Sequence, residues 1–191
     1  MKKRTYEVAL DKAWELLRAI GKTGEAKIDF LGEGYTVDFD RKTVMKRGQS
    51  APVKEYYRVL ILHYLAREKA VSVAEKIDWI GFQDLESGKF YYSAFAQRSL
   101  ARLNRKFSQN PRALWEKAEK LNPVELTLGD FGFRVQAFPK IWVAVIYWQG
   151  DEEVSQQFDL LFNREIAQIY STEDVVVLGQ TVVGYLSRSG A

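Results

Sequence analysis

Apolar residues recur at helical spacing through the first twenty positions. Tyr6, Leu10, Ala13, Leu17 and Ile20 share one face, and Gly21 follows as a stop. The spacing predicts an amphipathic helix over 5–19. The period then drops to two. AKIDFLGEGYTVDFD alternates apolar and polar residues on either side of Gly32-Glu33-Gly34, which predicts a β-hairpin extended by a short third strand at Thr43 to Lys46. Ser50 and Pro52 open the next helix, with proline near the first helical position. Its body is apolar nearly all round from Tyr56 to Leu65, the mark of a buried central helix.

Lys76 to Leu85 reads as a short aromatic strand or bend, and Glu86-Ser87-Gly88 as a turn. A helix follows from Phe90 to Phe107, with Ala96, Leu100, Leu103 and Phe107 inward. Asn110-Pro111 starts another through about Leu121. The remainder reads as an antiparallel meander. Val124 to Leu128 and Phe131 to Ala137 flank a Gly129-Asp130 turn, Ile141 to Trp148 is apolar on both faces, and Gln157 to Phe162 returns. Ile141 to Trp148 therefore belongs in the middle of a covered sheet. Ser171 and Asp174 stand as a capping box before Val175, Leu178, Val182 and Leu186, which mark a closing helix, although its β-branched content also suits a strand. The expected fold is a single α+β domain over 1–191, mostly antiparallel sheet (hairpin plus C-terminal meander) packed with about five helices.

Composition removes several kinds of chemistry. The 191 residues contain no cysteine and one histidine, His63. Thiolate nucleophiles, Cys-held zinc, iron–sulfur clusters and paired-histidine sites cannot be built within the chain. His63 falls in the buried helix, where a hydrogen-bonded core histidine is the expected reading. No glycine-rich phosphate loop, nucleophile elbow or Walker-type loop occurs. No metal site and no cofactor are expected. The longest apolar run, Ile141 to Trp148, is too short to span a bilayer, and the basic amino terminus develops no apolar signal segment. These features set a cytoplasmic location and no membrane as the expectation. Net charge is +3, with Lys and Arg concentrated before residue 120 and Asp and Glu in excess after it.

Two clusters can carry chemistry. Asp151, Glu152 and Glu153, with Asp159 nearby, follow the apolar strand and could bind a basic ligand or supply a general acid or base. The same residues suit a solvated turn that keeps two apolar strands from aggregating. Arg98, Arg102 and Arg105 recur at spacings of four and three and could clamp phosphate or carboxylate, with Tyr91, Tyr92 and Trp148 as walls. They equally suit the wet side of an amphipathic helix. Arg41, Lys42, Lys46 and Arg47 form a second basic cluster in a surface turn.

The segment Trp79-Ile80-Gly81-Phe82-Gln83-Asp84-Leu85, the stretch Gly88 to Phe107, and FPKIWVAVIYW followed by GDEE, DLLF and STED resemble the family catalogued as domain of unknown function 3786. The resemblance spans most of the chain. It implies a soluble protein of anaerobic bacteria and archaea with no settled activity, whose relatives are sometimes joined to or encoded near iron–sulfur and corrinoid one-carbon proteins. Without cysteine this chain cannot hold such a cluster itself. It departs from the family pattern at Val154, where Phe is expected, and at Asn163, where Asp is expected.

The expected function is a non-enzymatic accessory domain of anaerobic metabolism. It would bind an anionic small molecule or a protein partner between Arg98, Arg102 and Tyr92 on one side and Trp148, Asp151, Glu152 and Glu153 on the other. A carboxylate-based enzyme acting on an anionic small molecule, and a nucleic-acid-binding domain, are the alternatives. The charge asymmetry is too mild to favour nucleic acid.

Overall fold

The computed structural model describes residues 2–49, 51–72 and 75–188. Helix α1 (Lys2–Ala19) turns Leu10, Ala13, Trp14 and Leu17 inward and ends ahead of Gly21, whose φ of 74° suits glycine. Strands β1 (Glu25–Phe30), β2 (Glu33–Asp38) and β3 (Thr43–Lys46) form an antiparallel three-stranded sheet in sequence order. Its first turn is Leu31-Gly32, both left-handed (φ 48° and 70°), as a tight hairpin requires. Gly34 lies within β2.

Helix α2 spans Glu55–Arg67, with Tyr57, Val59, Leu60, Ile61, Leu62, Tyr64 and Leu65 buried. It begins later than the proline suggested. Lys54 is extended (ψ 140°), so no helical turn can form before it. Pro52 stays in the approach, and Ser50 lies outside the described residues.

A second antiparallel sheet runs in the order β4-β8-β7-β6-β5. Its members are β4 (Trp79–Gly81), β5 (Val124–Glu125), β6 (Phe131–Phe138), β7 (Ile141–Trp148) and β8 (Gln157–Asn163). Strand β7 is the middle strand, as its apolar run dictates. Pairing of Phe133 with Val145 and of Val145 with Leu160 fixes the inner face, which holds Phe133, Val135, Val143, Val145, Phe158, Leu160 and Phe162. A slip of one residue would exchange this face for the other.

The outer face carries Arg134, Gln136, Trp142, Ala144, Ile146, Trp148, Asp159 and Leu161. Ala144 and Ile146 are buried there, Ile146 beside the segment through Leu128 and Gly129, while Trp148 is 45% exposed. Strand β5 is shorter than its sequence suggests. After Glu125 the chain folds over Gly132, and a Cβ at that glycine would lie 2.6 Å from the Leu128 carbonyl. Only glycine admits this approach.

Helices cover the inner face. Residues 88–107 form one helical run: α3 (Gly88–Phe95), a π-turn segment (Ala96–Leu100) and α4 (Ala101–Phe107). Then come α5 (Ala113–Ala118), the short α6 (Ile166–Ile169) and α7 (Thr172–Leu186). Gly179 of α7 packs against Phe95, Ser99 and Leu160, so α7 lies on the inner side. The capping box decides in favour of helix for this β-branched segment. Ser171 Oγ accepts from the Asp174 N–H, and an Asp174 side-chain oxygen accepts from the Ser171 N–H at 3.2 Å. His63 Nδ1 lies 2.9 Å from Asp174 Oδ2, so the lone histidine ties α2 to the start of α7 as a hydrogen-bonded, half-buried residue. Among the described residues, no helix is long and apolar enough to cross a membrane.

The two sheets meet through aromatic rings. Phe30 stacks on Phe138 at 4.3 Å, and Phe138 stacks on Tyr64 at 4.7 Å, each within 12° of parallel. The Leu31 N–H donates to the Ala137 carbonyl beside them. Such pairs contribute about 0.5–1.5 kcal/mol beyond area burial. Phe138→Ala is expected to cost about 3–5 kcal/mol, measured by urea unfolding.

Asn163 is fully buried at the end of β8 and is structural. Its Oδ1 accepts the Trp142 N–H (2.8 Å), and its Nδ2 donates to the Lys140 carbonyl and to Glu165. Asn163→Asp replaces that donor with an acceptor facing two acceptors. The buried carboxyl would titrate above its unfolded value, so the variant should lose stability as pH rises through that raised value and recover in acid. Thermal melts at pH 4 and pH 7 test this, with a deficit of about 2 kcal/mol or more expected at neutral pH.

Candidate functional site

Alternation in β2 places Glu33 and Tyr35 on one face, and the register sets Lys46 of β3 directly opposite Tyr35. The Tyr35 hydroxyl donates to Glu33 at 3.1 Å, and Lys46 Nζ lies 2.8 Å from the other Glu33 oxygen. Glu33 is thus held from two sides. Above this corner pass the approach to α2, bearing Lys54, its first turn, bearing Tyr57, and the exit of α7, bearing Arg188. Together they enclose a cleft of about 160 Å³. Arg188 donates to the Tyr57 hydroxyl at 3.3 Å, and its guanidinium carbon lies 5.4 Å from the centre of the Tyr185 ring.

Three cations, Lys46, Lys54 and Arg188, thus face one carboxylate, Glu33. The tyrosines add neutral donors. Burial pushes the Tyr35 hydroxyl well above its ordinary value, and the Glu33 carboxylate pushes it further. Burial also raises Tyr57, partly offset by Arg188. Both rings stay protonated at neutral pH. The cleft is therefore an arrangement of hydrogen-bond donors and positive charge suited to oxygen atoms of an anion.

Helix α4 lies against the end of α7. Lys106 donates to the Ser187 carbonyl at the end of α7, and Arg102 lies beside Gly184 in the last turn. Helix α7 has no basic residue of its own in that turn, so α4 supplies the cations its carbonyl end attracts. Arg98 and Arg105 are exposed, and Arg98 acts electrostatically on Tyr6 of α1. Tyr91 is exposed, while Tyr92 is half-buried with its ring 6.4 Å from that of Phe95.

Asp151, Glu152 and Glu153 lie exposed in the turn after β7. Asp151 Oδ1 accepts the N–H groups of Val154 and Glu153, and these bonds hold its carboxyl below the usual value. It closes its own turn, which accounts for its position without a ligand. Val154 is exposed in the same turn. Trp148 bonds Asp159 through its side chain, and burial raises the Asp159 carboxyl despite that bond. A second cleft, of about 480 Å³, lies at the base of this turn and is lined by Arg112, Asp130, Tyr147, Gln149 and Gln156. Neither cleft is lined by Arg98, Arg102, Tyr92, Trp148, Asp151, Glu152 or Glu153.

Of the basic turn Arg41, Lys42, Lys46 and Arg47, Lys46 enters the first cleft, while Arg41 pairs with Asp38 and Arg47 with Asp29. Glu33, Tyr35, Lys54, Tyr57 and Arg188 were not singled out by sequence, because they come from three separated segments. The i, i+2 spacing of Glu33 and Tyr35 was the one local signal. Among the described residues, no group of three or more His, Asp or Glu could hold a metal ion.

No curated protein and no solved structure matches the chain. A family model, Domain of unknown function (DUF3786), matches residues 12–185, and the chain belongs to that family.

Proposed function

We propose that this protein is a non-enzymatic binding domain that takes an anionic small molecule into the cleft between β2–β3, the start of α2 and the end of α7. One observation carries the reading. Lys46, Lys54 and Arg188 converge with two protonated tyrosines, while Glu33 is already engaged by Tyr35 and Lys46. Among the described residues, the excess positive charge has no counter-ion in the cleft lining. An oxyanion or short carboxylate fits the volume and would accept from Arg188, Lys54 and Tyr57. In this reading the domain serves anaerobic metabolism as a cytoplasmic accessory protein. The acidic turn gives no support to the carboxylate-enzyme alternative, since Asp151 is engaged with its own backbone and Glu152 and Glu153 are exposed.

Titration calorimetry with inorganic phosphate, pyrophosphate and succinate tests the proposal. At least one should bind, more weakly as salt increases. Arg188→Ala and Lys54→Ala should each weaken that binding by about tenfold or more, whereas Arg98→Ala and Glu152→Gln should leave it unchanged. No binding by any of the three anions, or an equal loss in all four variants, would count against this site.

A further inference from the structure

The cation-rich cleft contains a carboxylate that the capture of an anion does not require. Glu33 shares the lining with Lys46, Lys54 and Arg188. Each of its oxygens has one partner. The Tyr35 hydroxyl donates to Oε2 at 3.1 Å, and Lys46 Nζ lies 2.8 Å from Oε1. A carboxylate offers about four acceptor sites, so about two remain open. The side chain keeps 32% of its surface exposed and lines the cleft, so that capacity is available there.

The other two cations do not consume it. Among the described residues, no ion pair joins Glu33 to Arg188 or Lys54. Arg188 is bonded to Tyr57, and Lys54 lies 5.8 Å from the centre of the Tyr56 ring. Yet Glu33 and Arg188 act on the same hydroxyls. Burial raises those of Tyr35, Tyr57 and Tyr185, Glu33 adds to each rise, and Arg188 offsets each. A carboxylate and a guanidinium thus look onto three shared hydroxyls without meeting. The cleft offers an acceptor on one side and donors on the other.

We propose that this cleft selects anions that carry a hydroxyl of their own, the chemistry shared by hydrogen phosphate and hydroxy-dicarboxylates. The inference rests on the anion-binding reading above. Oxygens of the anion accept from Arg188, Lys54 and Tyr57, and its O–H donates to Glu33. An anion without such a proton must set a bare oxygen against the Glu33 lone pairs, acceptor facing acceptor and like charge facing like. Glu33 cannot swing aside from it without breaking its bonds to Tyr35 and Lys46. Net charge points the same way. Three cations against one carboxylate leave two positive charges in the lining. A hydroxylated dianion matches them, whereas a zwitterionic amino acid brings no net charge.

Titration calorimetry on the full chain at constant ionic strength tests this with two matched pairs, phosphate against sulfate and malate against succinate. The members of each pair differ in little but the donor. In whichever pair binds, the hydroxylated member should bind about tenfold or more tightly than the other. Preference for phosphate assigns the cleft to an inorganic oxyanion, preference for malate to a hydroxy acid, and either supports the selection. Glu33→Gln keeps the shape of the side chain and adds an amide donor. It should bring the ratio close to one by tightening sulfate or succinate. Circular dichroism checks the fold of that variant, and should it not fold, the wild-type ratios decide alone. Equal binding within each pair, or a ratio that survives Glu33→Gln, overturns the inference and leaves the anion cleft standing. Binding by none of the four overturns it as well, and the anion cleft falls with it only if pyrophosphate also fails to bind.

Discussion

Stacking of Phe30, Phe138 and Tyr64 is the contact on which the architecture depends. It joins three elements that share no strand pairing: the β1–β2 hairpin, the end of β6 and the middle of α2. The small sheet has only three short strands. Phe30 gives it a place in the common core, and the Leu31–Ala137 backbone bond fixes its orientation. The cleft is a consequence of that placement. Its floor comes from β2 and β3 and its walls from α2 and α7, and the ring stack ties the hairpin to α2.

The legible parts of this fold were those in which one element's own pattern decides its state. Helix α1, the hairpin, the central strand β7 and the buried helix α2 each follow from periodicity or uniform apolarity. Elements decided by a neighbour were not legible. Strand β5 stops at Glu125 because the following carbonyls close over Gly132, a contact between residues that no local pattern relates. Helix α2 starts at Glu55 rather than near Pro52 because the backbone at Lys54 is extended. The π-turn segment at Ala96–Leu100 interrupts a run whose spacing alone fits a plain helix.

Candidate chemistry failed to show for a related reason. Charge crowded together in sequence draws the eye, yet Asp151 to Glu153 crowd together because a turn needs its own N–H groups capped. Arg102 is drawn to the carbonyl end of α7 in the same way, as a helix partner. The cleft collects Glu33 and Tyr35 from β2, Lys46 from β3, Lys54 and Tyr57 from the start of α2 and Arg188 from the α7 exit. A lone Arg188 after a helix carries no signal until the fold brings Tyr57 to it.

Residues 121–191 contain four cations, and their fates separate two surfaces. Lys140 is held by the Glu68 and Val71 carbonyls, and Arg164 is paired with Asp78. Arg134 and Arg188 are the two that no carboxylate engages among the described residues. A guanidinium remains well solvated when left at the surface, so an unpaired arginine by itself implies nothing. Here each sits beside aromatic rings and close to partly desolvated polar groups, where water competes less and a matching anion gains more. The sheet stands between them. Helix α7 brings Arg188 to the inner side, while alternation along β6 sends Arg134 to the outer one. The inner side is thus where a small free anion would meet an unpaired guanidinium, and a single layer of strands keeps Arg134 away from it.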